Sequence, residues 1–541
     1  QARRYRLDAG FPCSPRAHAS RALLARTMAG GGGSGGGVGA TAAADVHGMP
    51  LLEDDSLREV DSFGKTSSIN RRTSPRQTWK HAPTSISDIE TFSLNPTQPQ
   101  LGVLAVVAMT FFNVSGGPWG SEDIFSSSSP YIGSLGIVVF SVFFCIPQIF
   151  VTAELSCALP SNGGYSVWVR EAFGDFWGFQ VTYWQFVSGV ADAAVYPVLI
   201  TDSVLQLIGR KHVAAMEVWL WRVVTTVLLS LPTFVSIRSV PKLLIVLAAI
   251  TGLPVVAFIL VGMTRVQPAV WFESRHGKPV SFGKLVNVLF WNLEGWDCIS
   301  TCSALCAEPM EKTVPRGLFA ALGLTSTQYL LVLLVAAGIS QDTHPWQTWD
   351  DGTLPSIGFS LGQWMVGLLM TASVVGNAGQ YLSEFMEQSY LLQGAADIGI
   401  VPRVLGRVLP SGAPFVANFA QLVIILSLLA FDFGDILIFD NFFCATAMLL
   451  EFIAFFALRW RRPDMARPYR TPRALFPMFL PAAAVLLIVW VHCLSGSWFS
   501  RLVNLVALAL GVPYGVWIAR RSEKEHQEGH RSALDHFLED D

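Results

Sequence analysis

Ser115-Gly116-Gly117-Pro118-Trp119-Gly120-Ser121-Glu122-Asp123 interrupts an apolar run that opens at Leu101 and resumes only after Pro130. Three glycines and a proline within six residues cannot continue an α-helix. Unpaired backbone at membrane depth is tolerated only where protein or a water-filled cavity receives it. Two carboxylates follow at once, at the expected start of a short second half-helix. Taken alone, the stretch reads as a surface turn whose acids cap a helix. A second break, from Asn292 to Asp297, changes that reading. Paired broken helices in corresponding halves of a chain mark the binding site of a secondary transporter.

The composition agrees with a membrane setting. The chain has 541 residues, of which 51% are hydrophobic and 14% charged, with a mean hydropathy of +0.44. A soluble chain carries about one-quarter charged residues, so a polytopic membrane protein is expected. The 8 cysteines are scattered, mostly in apolar runs, and make no disulfide framework. Nothing resembles a nucleic-acid module, a cofactor site or a soluble catalytic domain.

Twelve apolar segments have roughly the 20 residues that span a bilayer: 101–128, 132–157, 175–207, 215–235, 239–264, 282–307, 315–340, 356–394, 413–431, 434–459, 475–494 and 498–519. The first and sixth are the broken ones. Repeats of five spans, 101–264 and 282–459, then have opposite orientation because five is odd. Segments 11 and 12, within 475–519, are additional. The expected fold is an all-α polytopic membrane protein with twelve transmembrane helices and a five-plus-five inverted-repeat core. The transporter domain covers 99–520, and 521–541 is a cytoplasmic tail.

Orientation follows the distribution of Lys and Arg. Loops carrying Arg170, Lys242, Lys312, Arg316, Arg403 and Arg407, and the Arg459–Arg473 stretch, place both termini inside. Arg210, Lys211, Arg265, Arg275 and Lys278 run against the rule, and the acidic loop with Asp342, Asp350 and Asp351 lies outside. Residues 1–98 are Gly-, Ser-, Thr- and Pro-rich without a long apolar face, the composition of a disordered tail. Gln1 to Thr27 is Arg-rich with one acid, Asp8, like an organelle transit peptide. Gln1 is no initiator and Met28 opens a new composition, so translation is expected to start at Met28.

Half-helix amino termini carry partial positive charge. Here Glu122 and Asp123 occupy one, which suits an amine better than a carboxylate substrate; the bland alternative is that at least one simply caps the half-helix. The sixth segment reads Phe290-Trp291-Asn292-Leu293-Glu294-Gly295-Trp296-Asp297. Trp291 and Trp296 offer ring faces to a cation, and Glu294 and Asp297 offer counter-charge. Asp192 sits mid-way along the third segment near Trp184, Gly189 and Tyr196, where an ionisable group is functional by default. Ser373, Asn377, Tyr381, Glu384 and Gln388 form one polar stripe in the eighth segment, facing either a cavity or a neighbouring helix. Gly116, Gly117 and Trp119 at the first break and Asn292 at the second complete the candidate substrate-binding set. Glu154 and Glu451 lie near cytoplasmic ends, where pairing with Arg competes with proton coupling. Cys298, Cys302 and Cys306 recur every four residues, but a helix-packing face explains them better than a metal, and no metal is expected.

Together with Ser115–Asp123, several phrases resemble the plant and trypanosomatid polyamine uptake transporters. They include Val151-Thr152-Ala153-Glu154-Leu155, Asn162-Gly163-Gly164-Tyr165, Phe176-Trp177-Gly178-Phe179-Gln180, Ala194-Val195-Tyr196-Pro197, Phe290-Trp291-Asn292-Leu293, Met448-Leu449-Leu450-Glu451-Phe452 and Arg467-Pro468-Tyr469-Arg470. That family is a branch of the amino acid–polyamine–organocation superfamily, and the resemblance runs from about residue 98 to 520. It implies a cation-coupled importer of putrescine- or spermidine-like amines in the plasma membrane, with protons as coupling ion. At matching positions it makes Glu122, Asp123, Asp192, Trp296, Asp297 and Glu384 substrate contacts. Glu294-Gly295 departs from the Asn-Tyr of plant members, and Glu387 is displaced relative to their second acid, so the particular amine stays open. Proton-coupled amino acid relatives carry a Lys inside segment 5. Lys242 lies too near its start, leaving Glu154, Asp192 and Glu384 as coupling candidates. The alternatives are a cationic or large-neutral amino acid exchanger on the same scaffold, a non-transporting amine sensor and, last, an intramembrane hydrolase, which lacks a nucleophile–base motif.

Overall fold

A computed structural model describes residues 101–539, apart from 211–212, 274–278, 351, 410–411 and 432. The expectations for residues 1–98, including the start at Met28, lie outside the described residues, as do Lys211, Arg275, Lys278 and Asp351. All regular structure among the described residues is helical, apart from one isolated parallel bridge between Leu101 and Cys306.

The first apolar run forms α1 (Val103–Val114) and then stops. Helix resumes as α2 (Glu122–Ser126), five residues long. The backbone between them folds on itself: Ser115 Oγ donates to the Gly117 carbonyl at 2.9 Å and Ser121 Oγ to the Pro118 carbonyl at 2.7 Å. Next comes α3 (Pro130–Ala158). The Ser129 hydroxyl accepts from the Ile132 N–H at its start, and Pro130 takes the first-turn position where no N–H is needed. After α4 (Tyr165–Phe173), the chain runs through α5 (Asp175–Leu207), α6 (Ala215–Ser236) and α7 (Val240–Gly262).

The second break repeats the pattern. α8 (Phe282–Leu293) ends, and a 3-10 segment (Cys298–Leu305) continues the path. The Leu293 carbonyl released by the break accepts from Trp296 Nε1 at 2.7 Å, so the interruption leaves it satisfied. The remaining helices are α9 (Met310–Ser340), α10 (Gln363–Asp397), α11 (Phe415–Leu428), α12 (Phe433–Arg461), α13 (Phe479–Ser495) and α14 (Trp498–Glu539). The last helix runs on through most of the segment expected as a tail.

Among the described residues, 8 helices are long and apolar enough to cross a membrane, and α1 and α11 are shorter apolar helices. The protein is a multi-pass membrane protein. Burial sorts these helices: the apolar window of α5 is 72% buried, whereas those of α6 and α7 are only 17% and 22% buried. Apolar surface left bare in this way faces lipid, and α5 is a central element, packed on α10 and α12.

Candidate functional site

The two breaks touch. Asn292 Nδ2 donates to the Gly120 carbonyl at 3.2 Å, joining the turn after α1 to the end of α8. Gly295 has φ +89°, and a Cβ there would stand 2.7 Å from the Asn113 carbonyl oxygen. Glycine is required by the backbone conformation and by this approach together.

Around this contact lies an acidic cage. Asp192 of α5, Glu294 and Asp297 at the second break, Glu384 and Glu387 of α10, and Asp440 of α12 line one cavity of about 20 Å³. That is room for a water molecule or an ion. A seventh carboxylate, Glu451, joins through Gln185, whose Nε2 donates to Asp297 Oδ2 at 2.9 Å and to Glu451 Oε1 at 3.0 Å. All seven are buried except Glu294, which is half-buried. None of the seven forms a salt bridge among the described residues.

Neutral donors hold the cage instead. Asp297 Oδ1 accepts from Gln148 Nε2 at 3.0 Å. Asp192 accepts from the Tyr196 hydroxyl and from Trp291 Nε1, the latter at 3.0 Å. Glu384 accepts from Gln388 Nε2 at 2.8 Å, Glu387 from the Tyr165 hydroxyl at 3.1 Å, and Asp440 from Ser188. Glu387 Oε2 and Asp440 Oδ2 are left with no hydrogen-bond partner. Gly189 on α5 makes room for this network, since a Cβ there would fall 2.2 Å from Glu384 Oε1. Seven negative charges without a cation are not sustainable in a low-dielectric interior, so the cage must hold protons or a bound cation.

On one side of the cage, Trp119, Tyr196 and Trp291 close around a space of about 10 Å³. Beyond Trp119 opens a cavity of about 220 Å³, lined by Glu122, Asp202, Ser373 and Asn377. On the other side, toward the starts of α1 and α7, an apolar cavity of about 290 Å³ includes Met109, Lys242, Cys302 and Tyr390. α10 runs from the first of these past the cage to the second.

Several expected site residues go elsewhere. Asp123 pairs with Lys284 at 2.8 Å, and Glu122 accepts from the Leu354 N–H at 2.9 Å, so neither reaches the cage. Trp296 is fully buried in the packing behind the break. Tyr381 turns to Ser230 of α6, 2.6 Å away, which divides the expected polar stripe of α10. Gly116 and Gly117 shape the turn, and Asn377 lines the cavity of about 220 Å³. Glu154 is paired with Arg459 and, at 3.1 Å, with Arg467. Burial of Arg467 in the loop after α12 lowers its pKa, and Glu154 opposes that shift. Of the two readings left open for Glu451, pairing with Arg is not what the structure shows, because its side chain accepts from Gln185 at 3.0 Å. Asp440 was not among the expected residues, although the rule that singles out Asp192 applies to it equally. The amides Gln148 and Gln185 carry no comparable signal in sequence.

Comparison with known proteins adds an independent line. Residues 101–511 match the model of a family described as amino acid permease. A probable polyamine transporter of Arabidopsis thaliana is 34% identical over 419 residues, covering 76% of this chain and 86% of the relative. A polyamine transporter of Oryza sativa subsp. japonica is 34% identical over 423 residues, covering 76% and 77%. A branched-chain amino acid permease of Lactococcus lactis is 23% identical over 403 residues, covering 67% and 83%.

Proposed function

Because this chain belongs to the amino acid permease family, whose members are transporters and not enzymes, we propose that it imports polyamines by proton-coupled alternating access. The observation that carries the reading is the cage of seven carboxylates without a cationic partner. An amino acid would bring its own carboxylate into that field, whereas an ammonium group relieves it. The polyamine transporters among the relatives support the same substrate class.

In this reading the cavity of about 220 Å³, which has Glu122 and Asp202 on its walls, opens to the outside and attracts the polycation first. It then passes the Trp119, Tyr196 and Trp291 layer. Its ammonium groups pair with cage carboxylates while its methylenes lie on the Trp291 ring. Twelve spans form the domain, ten of them as two inverted five-helix repeats that rock about the touching breaks. Glu154 is committed to two arginines, so Asp192 and Glu384 are the coupling carboxylates. The plasma membrane is the site of action, with both termini in the cytoplasm.

Purified protein in proteoliposomes tests this. Radiolabelled spermidine should accumulate, faster with an inward proton gradient, with leucine and arginine competing weakly. Saturable leucine or arginine uptake that spermidine does not affect overturns the substrate class, and spermidine binding without flux makes the protein a sensor.

A further inference from the structure

The end of the cage where the 3-10 segment meets α10 is organised differently from the rest. Cys298, Glu384 and Glu387 each offer one ligand atom there, and the three atoms lie within 4.8 Å of one another. Glu384 and Glu387 are three residues apart and therefore share one face of α10. We propose that this trio is a site for a soft or borderline divalent cation of the Zn²⁺ and Cd²⁺ class, which occupies the cage in competition with an ammonium group.

The residues are arranged as metal ligands are. Each carboxylate has a second partner that fixes it: Gln388 Nε2 donates to Glu384 Oε1 at 2.8 Å, and the Tyr165 hydroxyl to Glu387 Oε1 at 3.1 Å. Such outer hydrogen bonds orient metal ligands. Independently of the clustering, Glu387 Oε2 is buried in the cage with no hydrogen-bond partner, an acceptor that lacks a positive group. Bond lengths of about 2.3 Å to sulfur and about 2.0–2.2 Å to oxygen place tetrahedral ligand atoms about 3.5 Å apart. The three ligand atoms, within 4.8 Å of one another, need to close by about 1 Å to take that spacing. Three protein ligands leave the fourth position open to water.

Selectivity follows from donor type and space. A thiolate favours Zn²⁺ or Cd²⁺ over the hard cations, which prefer all-oxygen shells. The cavity of about 20 Å³ has no room for a hydrated ion, so Mg²⁺, which dehydrates reluctantly, is excluded. As the metal–sulfur bond forms, the Cys298 thiol releases its proton to solvent. The helical spacing of Cys298, Cys302 and Cys306 does not build this site, because Cys302 lines the separate apolar cavity and the other ligands come from α10.

The test uses purified full-length protein and metal alone. Titration with Co²⁺ and Cd²⁺ should give saturable binding at one ion per chain, with a thiolate-to-metal charge-transfer band in the ultraviolet. Cys298→Ser should abolish the band and weaken Cd²⁺ binding at least about tenfold, as should Glu387→Gln without removing the thiol. Cys302→Ser should leave both readouts unchanged. Absence of the band in the wild-type protein, which requires no variant to fold, overturns the proposal. So does a band that survives in Cys298→Ser. Metal binding is read without substrate, so it stands or falls separately from polyamine transport.

Discussion

Replacing Asp297 by Asn removes one of seven cage charges while keeping the shape of the side chain. The aspartate is 1% exposed and accepts from Gln148 at 3.0 Å and from Gln185 at 2.9 Å. Asparagine keeps one acceptor, and its new amide needs one in turn. Gln148 Oε1 has no partner and is available on rotation of that amide. The loss in stability is therefore held to about 1–3 kcal/mol, the range for an altered buried hydrogen bond. Substrate binding is hit harder. Removing one member of a desolvated charge pair costs about 2–5 kcal/mol, which is about 30-fold to about 4,000-fold in affinity. Spermidine uptake, normalised to surface-labelled protein, should show a KM raised by that factor or no measurable flux. Wild-type KM and rate at equal surface density would remove Asp297 from the site and refute the charge argument.

Other substitutions probe separate links. Gly295→Ala forces a side chain into a left-handed conformation, costing about 1–2 kcal/mol, and presses a methyl against the Asn113 carbonyl. Uptake should fail with the protein still in the membrane, and normal uptake would contradict the close contact of the breaks. Glu154→Gln leaves Arg459 and Arg467 without their counter-ion and should destabilise the fold by about 3–5 kcal/mol, seen as a lower melting temperature in detergent. Asp123→Asn breaks only a partly exposed pair with Lys284, worth about 0–1 kcal/mol. Its spermidine KM should stay at the wild-type value, and a loss like that of Asp297→Asn would place Asp123 in the substrate path. Raising external pH at fixed voltage should slow uptake, since deprotonation removes the coupling ion. A flux independent of pH would count against proton coupling.

The breaks were legible because glycine and proline interrupt helices wherever they cluster, and Gly116-Gly117-Pro118 and Gly295 do so inside apolar runs. Asp192, Glu294, Asp297 and Glu384 were legible as acids at membrane depth, where any ionisable group stands out. Azimuth was not legible. Glu122 and Asp123 follow the first break directly, yet α2 is a single short turn and its acids point to the Leu354 backbone and to Lys284. Tyr381 keeps the helical spacing of its polar neighbours but turns to Ser230. Glu451 stood open between pairing with Arg and proton coupling, and only the fold shows that Arg459 and Arg467 serve Glu154 while Glu451 joins Gln185. Amide clamps such as Gln148 and Gln185 become visible only when three helices meet.

Equilibrium binding of radiolabelled spermidine to the purified protein bears most directly on fixed negative charge as the basis of recognition. Saturable spermidine binding, displaced by putrescine, untouched by excess leucine and weakened in Asp297→Asn, is the predicted result. Leucine binding that spermidine fails to displace, or spermidine binding indifferent to Asp297→Asn, would contradict it.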